Sequence, residues 1–214
     1  MGRLGCITYV HGTNPHFPRS YGMSERIPLP ADAVKDFITA CHARPNVVSD
    51  LLNDEPQLVR ASTDWGEGNW ENGLEAAGHM GNREIAELLL SRGVTHTIFS
   101  AAMLGERKLV ESNPVSPDAA STPGVHGISL IYHVAISGDT DMADIVQSTT
   151  DAPGKDEALH PAVKFAHIDM VAWLIENGAQ NLSVHNFQNR TPLYVALESD
   201  QSDIVSLLRQ YGAK

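Results

Sequence analysis

The chain has 214 residues, of which 42% are hydrophobic, and it carries a formal net charge of −11. This acidic balance argues against nucleic acids and anionic membrane surfaces as partners, because both attract a basic protein surface. Two cysteines, Cys6 and Cys41, are too few for a disulfide framework, and no apolar run approaches the roughly 20 residues of a membrane span, so we expect a cytoplasmic protein without a signal peptide.

Residues 1–27 differ in composition from the rest of the chain. They are rich in Gly, Pro, His and Ser and show no helical period. Their scattered apolar side chains, such as Tyr9, Phe17 and Tyr21, could hold such a terminus in place by packing on the folded part of the chain. We predict a separate N-terminal segment that docks on the fold and either caps its first unit or covers its binding surface.

From residue 28 onward, short bursts of apolar residues recur at i, i+3 and i+4, broken by Gly, Asn or Pro. Each burst spans only about 7–10 residues, which is too short for a lone helix to be stable in water. Short paired helices bury their apolar faces by stacking on neighbouring pairs. The pattern therefore predicts a row of helix–turn–helix units, with inter-helix turns near residues 44, 81, 105, 138, 166 and 200.

Residues 72–93 align without gaps on residues 191–212, and weaker copies lie between and before them. These segments resemble the ankyrin repeat, which has a Thr-Pro-Leu-His start, a pair of small residues, a Gly turn and a Leu-rich close. The resemblance implies an all-α ankyrin-repeat solenoid over residues 28–214, with short hairpin fingers between units. The expected units lie near residues 31–60, 64–95, 96–121, 125–150, 155–184 and 187–214.

Two joints between the predicted units depart from the repeat pattern. The third unit has no Leu-rich close and runs into the proline-rich residues 112–124, and the second helix of the fourth unit ends early, at residues 148–154. We expect the middle of the solenoid to be its least regular and least stable part.

In an ankyrin-type stack, the fingers and the inner helices form a concave face. Apolar side chains and histidines are aligned along this face in the first units, and exposed apolar groups at aligned positions indicate a binding groove. The alternative is that the N-terminal segment or a dimer partner covers them. The candidate groove residues are His79, Met80, Met103, His133 and Phe165.

The finger at residues 64–73 holds two tryptophans among carboxylates and glycines. Tryptophan is a favoured anchor at interfaces, and glycine lets a backbone approach a ligand closely. The composition predicts a recognition finger for a cationic or aromatic group; alternatively, one tryptophan packs on the next finger and fixes the turn. The candidate binding residues are Trp65, Glu67, Trp70 and Glu71.

A carboxylate beside an imidazole in an apolar cleft can act as acid or base. If the protein were an enzyme, the candidate catalytic residues would be Glu71, Glu75, His79 and His133. Position 75, however, corresponds to the ankyrin motif histidine that bonds the backbone, so a structural hydrogen bond is the expected role of Glu75. His160 also falls on that motif position, and we expect it to be structural.

The histidines do not have the spacing of zinc-finger ligands, so no metal is predicted. The chain also has no phosphate-binding or dinucleotide motif, so no cofactor is predicted. The sequence predicts a binding module that recognises a protein segment or a small ligand on its concave face. The alternative is a cofactor-independent enzyme of the cyclase or isomerase type. The pattern does not indicate an oligomeric state.

Overall fold

A computed structural model describes residues 29–112, 123–149 and 153–214. The predicted N-terminal segment, residues 1–27, and most of the two irregular joints lie outside the described residues. Within the described ranges the all-α prediction is confirmed: helices dominate, and the strands are two short segments of three residues each. No helix in these ranges combines the length and the apolar character needed to cross a bilayer.

The helices come in pairs, each pair joined by a short turn. They are α1 (Ala31–Cys41), α2 (Pro45–Asp54), α3 (Gly73–Met80), α4 (Arg83–Ser91), α5 (Ile98–Leu104), α6 (Arg107–Ser112), α7 (Leu130–Ser137), α8 (Thr140–Thr149), α9 (Lys155–Lys164), α10 (Ile168–Glu176), α11 (Pro192–Glu198) and α12 (Ser202–Gln210). A hairpin of β1 (Ser62–Asp64) and antiparallel β2 (Trp70–Asn72) precedes α3, and 3-10 turns lie at Pro56–Arg60 and Val125–Gly127.

Local sequence sets the ends of these short helices. Asn72 caps α3: its side chain accepts from the amides of Leu74 and Glu75, while the Glu75 carboxylate accepts from the Asn72 amide. This reciprocal capping box satisfies amides that a helix start leaves unpaired. Helix α11 begins with the Thr191 hydroxyl as cap and Pro192 in its first turn.

The first helix of each pair packs on the first helices of the neighbouring pairs, and these inner helices build the concave face. The buried core falls into two clusters. One extends from Val34 to Leu89 and includes Met103, Leu104 and Ile136, and the other extends from Ala101 to Ala213. The clusters meet within the third pair, where consecutive residues of α5 belong to different clusters.

The inner edge of the array curls until the fifth pair touches the second. The ring of Phe165, at the end of α9, lies so close to the turn after α3 that a Cβ built on Gly81 would be 2.4 Å from it. Beside this contact, Lys164 donates from Nζ to the carbonyl oxygen of Met80 at 3.1 Å. These contacts close one side of the concave face, so that it forms a cup instead of an open trough.

Candidate functional site

The cup holds a cavity of about 570 Å³. The end of α3 forms one wall, α7 and α9 form the floor, and the finger at residues 185–190 forms the opposite wall. Ligand pockets in proteins commonly have volumes of about 300–1,000 Å³, so this cavity can enclose a side chain or a small molecule. Its lining includes Met80, Ile128, Tyr132, Pro161, Phe187 and Val195 as apolar or aromatic groups.

Among the side chains that line the cavity, two are formally positive and one is formally negative, whereas the whole chain is acidic. Lys164 and Arg190 line it together with four histidines, and Glu157 is the one acidic side chain among the lining residues that the structure describes. Arg190 pairs with Glu198 and stacks over the Tyr194 ring, with its guanidinium 5.5 Å from the ring centre. The cavity therefore presents a basic, histidine-rich lining on a protein of net charge −11.

His160 holds the floor of the cavity to the neighbouring finger. Its Nε2 lies 3.0 Å from the carbonyl oxygen of Val184, and because a carbonyl only accepts, Nε2 donates. The structural role predicted for His160 thus agrees with its position. Burial lowers the pKa of His160 and outweighs the opposing effects of the Val184 bond and Glu157; the neighbouring His185 lowers it further. The buried Nδ1 has no hydrogen-bond partner among the described residues.

We expect His160 to make the protein less stable as the pH falls. Because its folded-state pKa lies below the ordinary value of 6.5, the unfolded chain takes up the proton first, and stability declines from about pH 6.5 down to the folded pKa. The slope from this one group is at most about 1.4 kcal/mol per pH unit. Chemical denaturation of wild type and His160→Gln between pH 8 and pH 5 tests this: the variant should lose less stability on acidification. Parallel curves would contradict the assignment.

A second group of polar side chains surrounds Glu71, on β2. This carboxylate is fully buried. Its Oε2 accepts from the indole Nε1 of Trp65 at 2.6 Å, and its Oε1 lies 2.8 Å from Nε2 of His79. Nε2 of His126 and Nε2 of His42 are 3.4 and 3.6 Å from the same oxygen. We call His42, Glu71, His79 and His126 the histidine cluster.

Opposing effects set the ionisation of Glu71. Burial alone would raise its pKa, but the hydrogen bonds from His79 and Trp65 and the charges of His42 and His79 together bring the pKa below the ordinary value. Glu71 is therefore an anion at neutral pH. Nearby, burial and the charge of Glu71 raise the pKa of Cys41 to about 12, so this buried thiol stays protonated.

Residues 130–214, which contain helices α7 to α12, match the family model described as ankyrin repeats, three copies. This part of the chain therefore contains three ankyrin repeats. The match begins at residue 130, and the helix pairs before it continue the same paired-helix arrangement. Comparison with curated proteins gives no match. Ankyrin repeats are generally protein-interaction modules, which supports a binding module, whereas the enzyme alternative has no support.

The finger predicted at residues 64–73 contains the turn and second strand of the β1–β2 hairpin. Trp65 is bound to Glu71 and lies under Lys35, whose Nζ is 5.6 Å from the indole centre. These contacts hold Trp65 to its own hairpin and to the first helix, not to the next finger. Trp70 is 46% exposed, and Glu67 is exposed at the tip with a positive φ of 57°.

Several predicted groove residues lie elsewhere than expected. Met103 is 2% exposed and packs in the core, so the expectation that it faces the groove needs correction: α5 lies between α3 and α7, which cover it. His133 is also buried; its Nδ1 donates to the Ser129 carbonyl, and burial lowers its pKa to about 4, so it is neutral at pH 7. Phe165 packs on the Gly81 turn.

The other predicted residues divide between the two sites. His79 and Met80 line the cavity, and His79 also contacts Glu71. The hydrogen bond predicted for Glu75 is confirmed, since its carboxylate accepts from the Asn72 amide. Burial raises the pKa of Glu75.

The sequence analysis missed the finger at residues 185–190 and the pairing of His42 and His126 with Glu71. The repeat register could have identified the finger at residues 185–190. This finger precedes the last helix pair, in the same way that the β1–β2 hairpin precedes α3. No comparable signal exists for His42 and His126, which lie in different units and far apart in the chain.

Proposed function

We propose that the concave cavity binds a short segment of a partner protein. An apolar side chain of the segment enters the cavity, and acidic residues beside it face Lys164 and Arg190. The observation that carries this proposal is the basic, histidine-rich lining of an apolar cavity on a strongly acidic protein. Complementary charge steers a partner to the site and sets its register, while the apolar anchor contributes most of the affinity.

The exposed ring of Phe187 supports an occupant at the mouth of the cavity. Phe187 lines the cavity from the tip of the last finger, and it is 87% exposed. A large aromatic group in that position gains apolar burial when a partner covers it. A peptide segment that extends from the cavity across Phe187 would bury the ring. A small molecule confined to the cavity would bury less of it.

Selection from a displayed library of random peptides tests this proposal. We expect the enriched peptides to share an aromatic or aliphatic residue with acidic neighbours, and their binding to weaken as salt is added. Arg190→Ala and Phe187→Ala should each weaken binding by about 1–3 kcal/mol, roughly 5- to 150-fold. Arg209→Ala is the matched control, because Arg209 is an exposed arginine on α12 that does not line the cavity.

Two results would contradict the proposal. The first is enrichment of peptides that have no acidic residues, or that bind the Arg190→Ala variant as tightly as they bind wild type. Either finding would contradict the proposed role of charge. A metabolite-sized acid that raises the melting temperature, with no peptide enriched, would assign the cavity to a small ligand.

A further inference from the structure

Three members of the histidine cluster, His42, Glu71 and His79, bring potential metal ligands together: one donor atom from each lies within 4.8 Å of the other two. The Nε2 atoms of His79 and His42 lie 2.8 and 3.6 Å from Oε1 of Glu71. The ring centres of the two histidines are 5.1 Å apart. An ion with donor distances of about 2.0–2.1 Å in tetrahedral geometry places its donors about 3.3 Å from one another, and the two distances to Oε1 lie on either side of this value.

A hydrogen bond on the far side of His42 orients this ligand. Nδ1 of His42 lies 3.0 Å from the carbonyl oxygen of Ile38. A carbonyl only accepts, so Nδ1 donates, and Nε2 is the ring atom that faces the Glu71 carboxylate. This is the arrangement in which a metal-binding histidine donates from its other ring nitrogen to the backbone.

The Glu71 ligand is also oriented from behind. The Trp65 indole occupies Oε2 of Glu71 and leaves Oε1 for the cluster. His126 is oriented differently: the Asn69 side-chain amide donates to its Nδ1 at 2.7 Å, so a proton on Nε2 faces Glu71 and this ring is a neighbour of the site and not a ligand. Ligands whose outer atoms are held by a second set of hydrogen bonds are typical of metal centres in proteins.

We infer that His42, Glu71 and His79 bind a divalent transition-metal ion, with Zn²⁺ the best match. Two imidazoles and one carboxylate suit zinc, whereas calcium and magnesium take mainly oxygen ligands. The side chain of His42 is 26% exposed, so an ion can reach the site from solvent. The sequence predicted no metal because these ligands come from separate units and have no local spacing.

Such an ion would join two neighbouring parts of the array. His42 follows α1, and Glu71 and His79 belong to the second unit. The ion would therefore link the first and second helix pairs. Because it binds the folded arrangement, it should stabilise the protein in proportion to its free concentration.

Zinc titration of the chelator-treated full chain tests this inference independently of peptide binding. Calorimetry should show one Zn²⁺ bound per chain, and Zn²⁺ should raise the melting temperature. Substitution with Co²⁺ should give the intense visible absorption of a tetrahedral site. His42→Gln and His79→Gln should each weaken Zn²⁺ binding by roughly tenfold or more, in line with the losses seen when metal-site residues are removed.

The control is His185→Gln, since His185 is exposed and lies outside the cluster. This variant should bind zinc as wild type does. His42 is partly exposed, so its variant should fold without metal even if a Glu71 variant does not. The inference is overturned if wild type binds no stoichiometric Zn²⁺, if the cluster variants bind it as tightly as His185→Gln, or if the Co²⁺ spectrum is unchanged in His42→Gln.

Discussion

The Gly138→Ala variant is expected to lose about 2–5 kcal/mol of unfolding free energy, because two penalties combine at this turn. Gly138 ends α7 with a φ of 73°, a left-handed conformation that costs a residue with a Cβ about 1–2 kcal/mol. A Cβ at that position would also lie 2.5 Å from Cγ of His167. Overpacking of this kind costs typically 1–3 kcal/mol.

His167 cannot move aside freely. Its Nε2 donates to the carbonyl oxygen of Ile136 at 3.0 Å, which ties the fifth helix pair to the fourth. The clashing atom is at the base of the ring, so relief requires the whole side chain to shift and this hydrogen bond to break. A clash with the tip of a flexible side chain would cost less.

Gly105 provides a closely matched control. It ends α5 at the equivalent turn of the preceding pair, with a φ of 78°, but its nearest prospective neighbour is Cβ of Ser137 at 3.9 Å. Gly105→Ala should therefore cost only the left-handed penalty of about 1–2 kcal/mol. The difference in unfolding free energy between Gly138→Ala and Gly105→Ala therefore measures the cost of the clash with His167.

Denaturant unfolding of Gly138→Ala, Gly105→Ala, His167→Ala and the Gly138→Ala/His167→Ala double variant completes the test. Removal of the imidazole should relieve the clash. The double variant should therefore lose less unfolding free energy than the two single variants lose together, and the difference should be about 1–3 kcal/mol. Equal losses in Gly138→Ala and Gly105→Ala, or strict additivity in the cycle, would show that His167 does not restrict this turn.

The turns illustrate what the sequence could predict. Gly81, Gly105 and Gly138 follow short apolar bursts, and in the structure each ends an inner helix with a positive φ. Helix ends depend on a few adjacent residues, so a local pattern is sufficient to identify them. The same holds for the all-α class, because apolar period and helix length are local properties.

The curvature of the array is not a local property. Contact between Phe165 and the Gly81 turn joins the fifth helix pair to the second, and it depends on the side-chain volumes of the pairs between them. Repeat register predicts which units are neighbours but not how far the stack bends. The sequence therefore predicted a groove, and the structure has a cup whose wall includes a finger that the sequence analysis did not select.

The histidine cluster depends on the same bending. His126 approaches Glu71 only because the finger before α7 folds back over the second helix pair, where Asn69 contacts it. Glu71 itself was predicted as a binding residue of the finger, or as a catalytic residue if the protein were an enzyme. Its burial follows from Trp65 and His79, which contact its two carboxylate oxygens.

Met103→Ala is expected to lower the free energy of unfolding by about 2–5 kcal/mol, the usual cost of truncating a large buried side chain to alanine. Met103 is 2% exposed and belongs to the cluster that includes Leu104 and Ile136. Its removal leaves a cavity within the third helix pair, where the two core clusters meet. Thermal and chemical denaturation measure the loss directly.

Met80 is the matched control, because it is the methionine that lines the concave cavity, at the end of α3. Met80→Ala should change stability by less than about 1 kcal/mol, since a partly exposed side chain leaves little void when it is removed. It should instead weaken the binding of selected peptides. If Met103→Ala leaves stability unchanged and abolishes peptide binding, Met103 faces the ligand after all, and α5 does not have the orientation described.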